Sequence, residues 1–145
     1  MKNIENWLYE RRRGWACDFV GIAVNCAPDD VPQIIRWRYV SGNQSDAYQK
    51  IRLKVGRGIA GMVWKTGRPQ ADEAIFSQPD KLLEYPIARV ESLDSMLAVP
   101  ITVENKVIGI LAIGFRHTHS FTEEELTNVS TAAEKLAPTL KGLVI

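Results

Sequence analysis

Lys54-Val55-Gly56-Arg57-Gly58-Ile59-Ala60-Gly61-Met62-Val63-Trp64-Lys65-Thr66-Gly67-Arg68-Pro69 is a glycine-punctuated turn that feeds a short amphipathic helix. Gly67 and Pro69 stop that helix. At its front no Ser, Thr, Asp or Asn stands where a capping side chain would accept the first N–H groups. The helix mouth is therefore open. Backbone donors around Gly58, Ile59, Ala60 and Gly61, at the positive end of the helix dipole, suit either water or a small anion.

Outward from this stretch, the bulk properties narrow the class. A chain of 145 residues, 46% of them hydrophobic, supports one domain with a proper core, so residues 1–145 read as a single domain. Eighteen basic and seventeen acidic side chains leave a formal charge of +1. Such a chain has no global field to gather nucleic acid or an anionic membrane, and any anion preference must be local. No apolar run approaches a membrane span, and Glu5 and Glu10 interrupt the amino-terminal segment where a signal peptide would be apolar. A cytoplasmic protein is expected. Cys17 and Cys26 match neither a CxxC redox pair nor a zinc pattern, and read as reduced, structural thiols.

Upstream, Ile4, Trp7, Leu8 and Arg11 fall at helical spacing between Asn3 and Arg13, and Gly14 ends the helix. Its Arg11-Arg12-Arg13 run reads as a solvated face. Phe19 to Cys26 is a buried strand, and Ala27-Pro28-Asp29-Asp30 with Pro32 turns the chain. In the partner strand Ile34 to Val40, alternation places Ile35, Trp37 and Tyr39 on one face and Arg36 and Arg38 on the other, so Trp37 points to the core. A polar loop, Ser41 to Asp46, and a short ordered piece, Tyr48 to Lys54, lead into the central motif.

Downstream, Gln70 to Phe76 reads as a short edge strand followed by an irregular segment. Pro86 in Glu84-Tyr85-Pro86-Ile87-Ala88-Arg89-Val90-Glu91 fits the first position of a second short helix. Tyr85 before it is no cap, so the Ile87 and Ala88 N–H groups also lack a side-chain acceptor. Ser95 to Val103 and Lys106 to Arg116 are apolar at nearly every position and read as paired mid-sheet strands, with an irregularity at Pro100. Finally Thr122 and Glu125 form a capping box, with Phe121 and Leu126 as its staple. Leu126, Val129, Ala133, Leu136, Leu140 and Leu143 then form one stripe, either core or the seam of a homodimer.

This order of elements resembles a GAF domain over essentially the whole chain. The resemblance is carried by Gly56 to Gly61 with Val63, the Thr66 to Pro69 ending, Met96 to Val103, Val107 to Ala112 and the Phe121 to Leu126 helix start. It implies an α+β fold in α/β/α layers: a central antiparallel sheet of about six strands, terminal helices on one side and a ligand pocket on the other.

GAF domains bind unlike ligands, so residue chemistry must choose among them. The Asn-Lys-Phe-Asp-Glu signature of the cyclic-nucleotide binders is absent. A covalent bilin needs a thiol in the pocket, whereas both cysteines flank the first strand. A haem needs an axial His, but His117 and His119 follow the last strand in a turn and read as surface residues. Free methionine sulfoxide reductases, the enzymatic alternative, place their cysteines after the central turn, and here none follows Cys26. No catalytic residue, metal ligand or cofactor is assigned, and the chain is read as a non-enzyme.

A narrower resemblance is to the stand-alone bacterial nitrate receptors of the GAF family, which act with a sensor histidine kinase. It rests on Arg36 to Asn43, Ile51 to Lys54, Gly58 to Gly61, Lys65 to Pro69 and Tyr85-Pro86-Ile87. It implies nitrate, or a similar small anion, held largely by main-chain donors at Trp37, Ile59, Ala60 and Ile87, with Tyr85 nearby. Gly58 and Pro86, at the two helix starts, complete the candidate set. The alternatives are a GAF sensor for another small metabolite and a ligand-free dimerisation module.

Overall fold

The computed structural model describes residues 3–28 and 31–144, so Asp29 and Asp30 of the expected first turn lie outside the described residues. The helices are α1 (Ile4–Gly14), α2 (Gly58–Thr66), α3 (Pro79–Glu84), α4 (Pro86–Glu91) and α5 (Glu123–Val144). The strands are β1 (Phe19–Asn25), β2 (Ile34–Ser41), β3 (Leu53–Lys54), β4 (Gln70–Asp72), β5 (Ser95–Val103) and β6 (Lys106–Phe115). They form one antiparallel sheet in the order β3-β2-β1-β6-β5-β4.

The central strands β1, β6 and β5 are buried on both faces, as their unbroken apolar sequence requires. Along β1, Phe19 and Ala23 face one core, while Val20, Ile22 and Val24 face the other. The second core lies under α1 and α5 and takes in Leu8, Val129, Ala133, Leu136 and Leu140. Each large apolar side chain fully buried there contributes about 1.5–3 kcal/mol. The α5 stripe is thus buried inside the fold, and only its tail, Leu143, is exposed. Reciprocal bonds between Thr122 and Glu125 cap the start of α5: Glu125 N donates to Thr122 Oγ1 at 3.1 Å and Thr122 N to Glu125 Oε1 at 2.9 Å.

Three local readings change. Between Ile22 and Ala23 the register with β2 slips, leaving Arg38 as an extra residue between Tyr39 and Trp37. This bulge resets the alternation, so Ile35 and Trp37 face the first core while Tyr39 packs on the second. Pro100 stays in register with Ile110, and the irregularity falls instead opposite Ile101 and Thr102, where Ile108 is the extra residue. Pro100 is tolerated because β4 ends opposite Ala98 and leaves that edge of β5 open beyond it. The segment after β4 is more ordered than its sequence suggested, with a 3₁₀ turn at Ile75–Ser77 and then α3. Among the described residues no helix is long and apolar enough to cross a membrane.

Candidate functional site

The face of the sheet away from α1 and α5 carries α2 and α4. Gly58, the first residue of α2, has φ +66°, which admits glycine at little cost and turns the chain into the helix. Gly61 lets the turn close: a Cβ there would meet the Lys54 carbonyl oxygen at 2.6 Å, and Gly56 N donates to Gly61 O at 2.8 Å. The mouth of this nine-residue helix has no side-chain cap. Among the described residues, no carbonyl outside the helix accepts from Gly58, Ile59 or Ala60 N. All three residues are buried, which limits the access of open water to this helix start.

The start of α4 is uncapped as well, with Tyr85 at φ −111°, ψ 86° and Pro86 at the first position. Here one expectation is revised. Ala88 N donates to Tyr85 O at 3.0 Å, so of the two amides expected to be open only that of Ile87 remains. Tyr85 serves both neighbours, since its own N–H closes α3 on Lys81 O at 2.9 Å. Its hydroxyl is committed elsewhere, donating to Asp72 Oδ2 and accepting from Gln70 Nε2, each at 2.7 Å. Burial and the Asp72 carboxylate push the phenol's pKa up, keeping it neutral. Asp72 also accepts from Lys81 Nζ. Burial works against the Asp72 carboxylate, but Lys81, Gln70 and Tyr85 outweigh it and hold the pKa below its ordinary value.

Trp37, Ile59, Ala60, Tyr85 and Ile87 belong to a single buried cluster. Gly58 is buried beside them on α2, and Pro86 is half-buried. Within the cluster, the Trp37 ring stands edge-on to Phe19, with centroids 6.1 Å apart. Its indole Nε1 is buried without a hydrogen-bond partner. Trp64 shows the usual arrangement, its Nε1 donating to Gln33 Oε1 at 3.1 Å. A buried, unpaired N–H costs about 1–3 kcal/mol, so the Trp37 donor is an unexplained polar group within this cluster. Sequence alternation located the Trp37 side chain in the core, but its missing partner is a property of the packed interior alone.

Cys17 is buried at the foot of β1, and burial pushes its thiol pKa up to about 12; Cys26 is exposed. His117 is exposed, whereas His119 is half-buried. It stacks on Phe115 at 3.9 Å, and its Nε2 lies 2.7 Å from Glu125 Oε2, on the α1 and α5 side of the sheet. Beside Trp37, along the outer edge of β2, a half-open groove of about 440 Å³ is lined by Arg36, Arg38, Tyr48, Gln49, Glu5 and Cys26. Among the described residues, no three His, Cys, Asp or Glu side chains are grouped to hold a metal.

Six antiparallel strands, with α1 and α5 behind them and α2 to α4 in front, make up the fold. The profile of the GAF domain matches residues 11–141, and the chain belongs to that family. It is similar to a hypothetical protein, SA1058, from S. aureus, at 35% identity over 79% of this chain and 94% of that one, with a TM-score of 0.74. It is also similar to NreA from Staphylococcus aureus, in a form mutated in its nitrate binding site, at 33% identity over 83% and 90% of the two chains, TM-score 0.74. A type II free methionine-R-sulfoxide reductase from Thermoplasma acidophilum shares the fold, with TM-score 0.76 over 98% and 92% of the chains, at 17% identity. No curated protein matches the chain.

Proposed function

We propose that this GAF domain, residues 1–145 acting as one unit, is a cytoplasmic, non-enzymatic sensor of nitrate or a closely similar anion that modulates a sensor histidine kinase. The observation that carries the reading is the Trp37 indole N–H, buried without an acceptor in the cluster that holds the uncapped start of α2 and the Ile87 amide. The similarity to NreA, whose solved form is mutated in a nitrate binding site, supports the choice of anion.

Nitrate is planar and weakly basic, with its charge spread over three oxygens. A few N–H donors in an apolar wall can replace its modest hydration. Trp37 Nε1, the Ile59 and Ala60 amides and the Ile87 amide would supply them, each bond to the charged acceptor contributing about 1.5–3 kcal/mol. After the cost of immobilising the ion, the expected affinity is micromolar. Gly58 and Pro86 set the backbone at the two starts, and Tyr85 positions the second through Asp72.

Titration calorimetry of the dialysed protein with nitrate, against nitrite, chloride and sulfate, tests this. One-site binding selective for nitrate supports it, and no heat with any anion overturns it. The groove beside Trp37 favours one second reading, a larger anionic metabolite held by Arg36 and Arg38.

A further inference from the structure

Another buried side-chain atom lacking a hydrogen-bond partner, Glu91 Oε2, lies at the far end of α4 from Ile87. Glu91 is fully buried. Its Oε1 accepts from Arg116 Nη2 at 2.9 Å and from the Gln44 amide at 2.8 Å. Arg116 reaches further, donating through Nε to Glu91 O at 2.9 Å and through Nη2 to Gly42 O at 2.8 Å. Ser92, just past α4, donates to Gln44 Oε1 at 3.2 Å. Thus the last turn of α4, the end of β6 and the exposed 42–46 loop meet at one carboxylate. The ion pair by itself does not explain this arrangement, because a buried carboxylate with an idle oxygen is costly next to an apolar residue of the same size.

α4 is six residues long, so only about one turn of helix backbone links the Ile87 amide to Glu91. Because Glu91 is dry and already holds the loop through a backbone amide, a small rotation of α4 changes the Gln44 and Arg116 bonds together.

We propose that Glu91 is a coupling residue, which transmits occupancy of the site beside Trp37, by way of α4, to the 42–46 loop through Gln44 and Arg116, making that loop the output surface. This rests on the anion-sensor reading above and extends it to the route by which the signal leaves the site.

Hydrogen exchange of the full chain with and without nitrate, beside calorimetry, is the test. In the wild type, nitrate slows exchange at 58–62, at 87–88 and, by about fivefold or more, at 42–46. Glu91→Gln keeps nitrate affinity within about threefold while the effect at 42–46 is lost. Gln44→Pro, which deletes the loop's donor at an exposed position, does the same and guards against a folding defect in the first variant. Nitrate binding with no change at 42–46 in the wild type, or an unaltered response in both variants, overturns the coupling and leaves the sensor reading intact. Absence of nitrate binding to the wild type overturns the sensor reading itself and removes the input this coupling needs.

Discussion

Tyr85 donates its hydroxyl to Asp72 Oδ2 at 2.7 Å, which pins the residue that opens α4 to the edge strand β4. Lys81, on α3, meets the same carboxylate. One buried acid therefore fixes the relation of β4, α3 and α4, and with it the position of the Ile87 amide. Lys81 is the leading favourable partner of the ionised carboxylate, ahead of Gln70 and Tyr85, and its 41% exposure discounts the stability that its charge adds.

Asp72→Asn is expected to cost about 1–3 kcal/mol of stability at neutral pH. The sign with pH follows from the depressed pKa: the ionised carboxylate contributes stability above its unfolded value, and that contribution is lost as pH falls through the folded one. Urea unfolding at pH 7 and pH 3 should therefore show a wide gap between wild type and variant that narrows in acid. A gap that widens in acid would rule out the assignment.

Trp37→Phe removes the unpaired indole N–H while keeping an aromatic ring beside Phe19. Unliganded stability is expected to stay within about 1 kcal/mol of wild type, because the lost packing is offset by removal of a buried unsatisfied donor. Nitrate affinity should drop about tenfold, the equivalent of one lost bond to a charged acceptor. Thermal melts and calorimetry on the same sample separate the two effects.

Ile59→Pro deletes one donor at the α2 mouth near a position where proline is compatible with a helix start. Folding should survive and nitrate binding should fall by tenfold or more, on the order of one charged hydrogen bond. Arg13→Ala, on the exposed face of α1, should leave binding unchanged; circular dichroism and titration calorimetry check both.

A thiol reagent at neutral pH should modify Cys26 alone. Cys17 is buried with its pKa pushed up to about 12, so its thiolate is scarce and shielded until the chain unfolds. Counting reacted thiols before and after denaturant gives one, then two.

Leu136→Asp is expected to unfold the protein rather than to dissociate a dimer, since Leu136 is 5% exposed and packs in the core beneath α5. Burying an unpaired carboxylate there costs several kcal/mol. Chromatography with circular dichroism distinguishes loss of helix from a folded monomer.

The sequence by itself determined the elements whose cause is local. The apolar runs of β5 and β6, the Thr122 and Glu125 capping box, and the glycines of the α2 turn are each specified by residues a few positions apart. So was the absence of a cap at Arg57 and Tyr85, because a missing hydroxyl or carboxylate is visible in one dimension. Tertiary structure decided whatever depends on a partner from another element. The bulge at Arg38, which sends Tyr39 away from Trp37, follows from register against β1. The commitment of the Tyr85 hydroxyl to Asp72, 13 residues away, follows from how β4 meets the start of α4. Above all, whether the Trp37 indole and Glu91 Oε2 find partners is settled by packing, since hydrogen-bond satisfaction in a dry interior depends on every neighbouring segment at once.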